Sequence, residues 1–149
     1  SSSGRMRVAT RRDAREWAVQ LLFQMDLNRP KDMRPVLEHF WAQVDADDKA
    51  RAYTEQLVRG VMSRRGELDE TIAAALEHWD MKRLAVIDRN VLRMAAYEML
   101  HTSDVPPVVS INEAVDIAKY FGTAESGRFV NGVLDRIRKG LDRPGRTAG

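Results

Sequence analysis

From Thr10 onward, apolar residues return every three or four positions, the spacing of one buried helix face. Thr10 is placed to cap a first helix carrying Ala14, Trp17, Ala18, Leu21, Leu22 and Met25, with Asn28 and Pro30 ending it. Pro35 suits the first turn of a second, through Val36, Leu37, Phe40 and Trp41. Asp45 or Asp47 would cap a third, running through Ala50, Tyr53, Leu57, Val61 and Met62 to Gly66. A short fourth spans about Leu68 to His78, with Ile72, Leu76 and Trp79 on one side. Leu84, Ile87, Val91, Met94, Ala95 and Met99 mark a fully amphipathic fifth helix ending near His101. Pro106-Pro107 breaks the pattern.

Beyond the prolines, Ser110-Ile-Asn-Glu113 has the S-x-x-E form of a capping box, ahead of Ile111, Ala114, Val115, Ala118 and Phe121. Gly122 is expected as that helix's C-cap. Thr123 or Ser126 opens the last helix, striped by Phe129, Val130, Val133, Leu134, Ile137 and Leu141. No alternating run of strand length occurs. The expectation is an all-α, single-domain bundle of about seven helices over residues 10–141, with a flexible leader at 1–9 and a basic flexible tail at 142–149.

Composition narrows the class. The 149 residues are 44% hydrophobic and 31% charged, enough apolar material for a core. The longest uncharged run, Trp17 to Met25, is far short of a membrane span. No targeting segment is evident, which points to a cytoplasmic protein. Without cysteine, there can be no disulfides, thiolate metal sites or cysteine nucleophiles. His39, His78 and His101 have no ligand-like spacing, and neither a P-loop, a dinucleotide fingerprint nor a nucleophile elbow is present. Acid pairs such as Asp47-Asp48 sit at helix starts, where the helix dipole accounts for them. We therefore expect no enzyme, no cofactor, no catalytic residue and no metal site.

The net charge of +2 conceals an uneven distribution. Residues 1–15 carry five Arg against Asp13, and residues 136–149 carry five basic residues against Asp142, leaving the intervening body at −6. Arg11, Arg12 and Arg15 lie in the opening turns of the first helix, Arg11 and Arg15 sharing a face. Cations there oppose the macrodipole, which suggests a functional reason for them. Glycines at 60 and 132 inside helices would permit close helix approach, and Tyr97 and Trp79 read as core. Asp88 would cap the fifth helix or face a partner.

A long series of segments then carries a family likeness. Arg11-Arg12-Asp13-Ala14-Arg15-Glu16, Ile87-Asp88-Arg89-Asn90-Val91-Leu92-Arg93, Ala96-Tyr97-Glu98, Asp104-Val105-Pro106, Ile111-Asn112-Glu113-Ala114 and Phe129-Val130-Asn131-Gly132-Val133-Leu134-Asp135 occur in one order. Over about residues 11–137 the chain resembles the NusB family of bacterial transcription antitermination factors.

The resemblance implies an all-helical fold that recognises boxA-like single-stranded RNA of ribosomal RNA transcripts. It implies NusE, also a small-subunit ribosomal protein, as partner, and membership of an RNA polymerase antitermination complex. It assigns RNA contact to Arg11, Arg12 and Arg15, and to Glu125, Ser126, Arg128 and Phe129 near the last helix. Phe23 and Asp88 match positions associated with the partner. Asp13 departs from the pattern, standing where many members have a basic residue. Phe129 belongs equally to the core stripe and to a base-stacking role. Two other readings are an RNA-targeting module of an rRNA methyltransferase, which would need a nucleotide-fold domain and catalytic cysteines absent here, and a protein-only helical adaptor.

Overall fold

A computed structural model describes residues 8–78 and 80–141. The expected leader, apart from Val8 and Ala9, the expected tail and Trp79 lie outside these. Seven α-helices are described: α1 (Arg11–Asn28), α2 (Met33–Gln43), α3 (Asp48–Ser63), α4 (Arg65–Ala75), α5 (Val86–His101), α6 (Pro107–Phe121) and α7 (Ala124–Leu141). A single 3-10 turn, Met81–Arg83, precedes α5.

The helix α5 is the axis of the fold. It packs against α1, α3, α4, α6 and α7. Every residue from Asn90 to Met99 is buried, so α5 is surrounded rather than amphipathic. Its polar residues Asn90, Arg93 and Glu98 are therefore inside, where burial without a partner would cost several kcal/mol, and each has partners. The α2 helix is peripheral. Trp41 anchors it, edge-on to Trp17 at 5.8 Å and donating its indole N–H to Glu55 at 2.8 Å.

The local signals explain most helix starts. Asp47 rather than Asp45 caps α3, accepting from the Ala50 N–H at 2.9 Å. Thr123 caps α7, accepting from the Ser126 N–H at 3.3 Å. The α4 helix begins at Arg65, directly after α3, so Gly66 lies within it instead of separating the two.

The largest departure is at α6. It starts at Pro107 with Pro106 as N-cap, so Ser110 and Glu113 form no capping box. At the first helical position Pro107 has no N–H to leave unpaired and its ring holds φ near the helical value, so it opens the helix four residues earlier than a Ser110 cap would. Ser110 and Glu113 are freed to reach α5 and α1.

The glycines also divide. A Cβ on Gly60 would collide with the Tyr97 ring, so α3 and α5 approach closely there as expected. Gly132 shows no such approach, its nearest neighbour being the Arg136 guanidinium at 3.8 Å. Gly122 ends α6 at φ −119°, where close contact with Ser126 and the Ala118 carbonyl, not a left-handed turn, demands the missing side chain.

Candidate nucleic-acid interface

The arginine-bearing start of α1 is fixed by a capping box. The Thr10 hydroxyl accepts from the Asp13 N–H at 3.1 Å, and the Asp13 carboxylate accepts from the Thr10 N–H at 2.9 Å. Asp13 thus supplies the acid at the third helical position that partly offsets the neighbouring cations at the N-terminus. This local role accounts for the acid at that position.

The three arginines occupy different environments. The Arg15 side chain is only 4% exposed and forms a fork with Glu98, Nε to Oε2 and Nη2 to Oε2 each at 2.9 Å. Glu98 also accepts from the Tyr53 hydroxyl and from Ser110 at 2.8 Å. Burial, reinforced by the Glu98 carboxylate, pushes the Tyr53 phenol well above its ordinary range. Arg15 additionally lies 3.5 Å from Glu113.

Arg12, 37% exposed, meets Glu113 through two parallel contacts of 2.5 and 3.0 Å and reaches Asp116 at 3.0 Å. The Arg12 hydrogen bond, opposed by partial burial, holds the Glu113 carboxyl below the usual carboxylate range. Arg11, half exposed, pairs with Asp104 at 3.0 Å and stacks over the Tyr53 ring at 4.3 Å. A shallow cavity of about 380 Å³ opens beside these groups, lined by Thr10, Arg11, Arg12, Val105, Pro106 and Val109 among others.

The second group of candidates lies at the start of α7. Arg128 and Glu125 are exposed and pair with each other at 2.6 Å. Ser126 is half-buried beside Asp88 of α5. One Asp88 oxygen, Oδ1, is buried with no hydrogen-bond partner, and burial, opposed by the Ser126 contact, raises its carboxyl above the ordinary range. Asp88 does not cap α5, whose N-cap, Ala85, has no side-chain cap. Phe129 is partly buried and packs against the core, and Phe23 is partly buried on α1.

The structure thus brings Asp88 to Ser126 and gathers Arg11, Arg12 and Arg15 at one end of α1. Each of these guanidiniums, and that of Arg128, already has a carboxylate. Sequence reasoning missed those carboxylates, Asp104, Glu98, Glu113 and Asp116. The available signal was Glu98 itself, a charged residue in an otherwise apolar stretch of α5. Among the described residues no cluster of His, Asp and Glu could hold a metal ion, and no helix is long and apolar enough to cross a membrane.

The NusB family model matches residues 12–139 of the sequence. This chain belongs to the NusB family. It is 46% identical over 136 residues to the transcription antitermination protein NusB of Desulfosudis oleivorans, covering 90% of this chain and 88% of that protein. Identity to the Bacillus velezensis NusB is 43% over 134 residues, covering 89% and 98%. Among solved structures, T. maritima NusB superposes with a TM-score of 0.82 at 39% identity, covering 96% of this chain and all of that one. A chain from a complex of the antitermination factors NusB and NusE with double-stranded RNA gives 0.79 at 26% identity, covering 87% and 96%. The seven-helix NusB-like fold and the family are those of a transcription antitermination protein, a non-enzymatic class.

Proposed function

We propose that this chain is a cytoplasmic antitermination factor that binds boxA-like single-stranded RNA of ribosomal RNA transcripts together with NusE, within an RNA polymerase antitermination complex. The observation that carries the reading is the pair of solvent-facing guanidiniums, Arg11 and Arg12, held on a capped, ordered helix. Phosphates compete for such groups by exchanging one charge-assisted contact for another. The side-chain fork stays at a fixed place during that exchange, because Arg15 behind it is locked to Glu98. Arg15 acts as a positioning residue in this scheme, while Arg11 and Arg12 touch the RNA.

At α7, Glu125, Ser126, Arg128 and Phe129 form a second RNA contact, with Arg128 as its cation. Phe23 and Asp88 face NusE. The partly buried Phe23 offers an apolar contact, and Asp88 stands beside Ser126 at the start of α7.

The test is a titration of boxA RNA across salt concentrations, with and without NusE. Each of Arg11→Ala and Arg12→Ala is expected to weaken binding and to flatten the log–log salt slope by about 0.7, the value for one phosphate of a single strand. Unchanged affinity and slope in both variants would remove the arginines from the interface. One observation favours a protein-only adaptor instead: every candidate guanidinium is already neutralised by a carboxylate. Capture of NusE with no preference for boxA over scrambled RNA would establish that reading.

A further inference from the structure

The two candidate RNA segments, on α1 and α7, are far apart in sequence, and α6 joins them. Asp116 of α6 is paired with Arg12 at 3.0 Å. One turn further along the same α6 face, about 6 Å on, is Tyr120. At this end α6 is pressed onto α7: the Lys119 stem covers Gly127, where a Cβ would meet the Lys119 Cγ at 2.7 Å. Gly127 lies between Ser126 and Arg128, so Tyr120 stands where the two segments converge.

Tyr120 is also anomalous as a surface residue. It is 73% exposed, the most exposed aromatic side chain among the described residues, while the other large rings are mostly committed to the core. Its ring is braced edge-on by Phe121, with centroids 5.0 Å apart at 70°. Phe121 in turn packs on the core. The nearest acid on its face, Asp116, is neutralised by Arg12, and Lys119 supplies a neighbouring cation. A braced, solvent-facing ring flanked by cations is what a nucleobase needs for stacking, and unpaired bases of a single strand offer their faces to it.

We propose that Tyr120 is a base-stacking platform that continues the RNA path from Arg12 to the start of α7. This rests on the RNA-binding reading above. Stacking displaces no condensed counterions, so its signature differs from that of an arginine: affinity changes while salt dependence does not.

The experiment measures boxA RNA binding by the full chain with NusE, over a range of salt, for the parent, Tyr120→Ala, Tyr120→Trp and Arg12→Ala. Tyr120→Ala is expected to weaken binding by about 5-fold or more, the span for loss of one stacked base. The salt slope and NusE capture should match the parent, and Tyr120→Trp should retain or tighten binding. Parental affinity in Tyr120→Ala, an altered salt slope, equal weakening in Tyr120→Trp, or loss of NusE capture would each overturn the proposal. If Arg12→Ala flattens the slope while Tyr120→Ala binds as the parent does, this inference alone fails. If the parent shows no RNA binding, both readings fall together.

Discussion

The two ends of α1 each join α5 through a buried ion cluster with one central acid, which α5 supplies at the N-terminal end and α1 at the C-terminal end. At the N-terminal end one acid is central: Glu98 takes Arg15, Tyr53 and Ser110. At the C-terminal end, Asp26 receives Arg65, Arg89 and Arg93 together with Asn90. Burial works against the charged form of Asp26, yet hydrogen bonds from Arg89 and Asn90 hold its carboxyl below the ordinary range. In the first cluster the acid and its arginine are both sealed from water. In the second, Arg65 and Arg89 are partly exposed and can turn outward. Whether an arginine can leave for a ligand depends on how far the pair it belongs to reaches solvent, not on its own charge. Arg12, whose acids lie at the surface, can be recruited, and Arg15, three residues away, cannot.

The sharpest test of this contrast is to break both clusters. Arg15→Ala leaves Glu98 buried and short of its counter-ion, with an expected loss of about 3–5 kcal/mol. Asp26→Asn should cost less, about 1–3 kcal/mol, because Arg65 and Arg89 can regain solvent and Arg93 keeps Asp69 at 2.7 Å. Denaturant unfolding of the two variants measures the order, and a smaller loss in Arg15→Ala would reverse the argument.

Next in size is the effect of unmasking. Asp116→Asn removes one of the acids that occupy Arg12 while leaving the Glu113 fork intact, so RNA affinity should rise about 2- to 10-fold with stability changed by less than about 1 kcal/mol. The shift assay that detects boxA binding reads this directly, and weaker binding would show that Asp116 holds Arg12 in its useful pose instead of masking it.

The smallest expected effect concerns Asp88. Its folded-state carboxyl is raised, so the native state holds its proton to higher pH than the unfolded chain does. Stability from this group is complete below the ordinary carboxylate range and falls as pH rises through the raised value. Asp88→Asn should therefore stabilise the protein at neutral pH by roughly 1 kcal/mol or less and flatten the profile from the ordinary carboxylate range, about pH 4, upward. Thermal melts across that window test it. Loss of stability at pH 7 would mean that the ionised form has a partner in the fold.

The helices were largely legible from the spacing of apolar residues, and the first was legible to its cap, because Thr10 and Asp13 act on their own neighbours. The arrangement at α6 was not, because S-x-x-E satisfies a local pattern that Pro107 pre-empts from outside it. The site was half legible. Arg11, Arg12 and Arg15 were visible as a basic group, and Arg11 and Arg15 do share a face, both lying over Tyr53. What separates a solvent-facing guanidinium from a locked one is Glu98, 83 residues from Arg15. No periodicity within α1 reports that distance.

The capping box at Thr10 and Asp13 also sets an angular phase. A helix advances about 100° per residue, so the position of its first residue decides which side chains face α5 and which face solvent. Insertion of one alanine between Thr10 and Arg15, or deletion of Ala14, would keep every arginine and the same total charge. It would nonetheless swing the guanidinium meant for Glu98 away from its acid and turn an apolar side chain outward. In length variation this stretch should behave as a rigid gauge, in which spacing is constrained more tightly than residue identity.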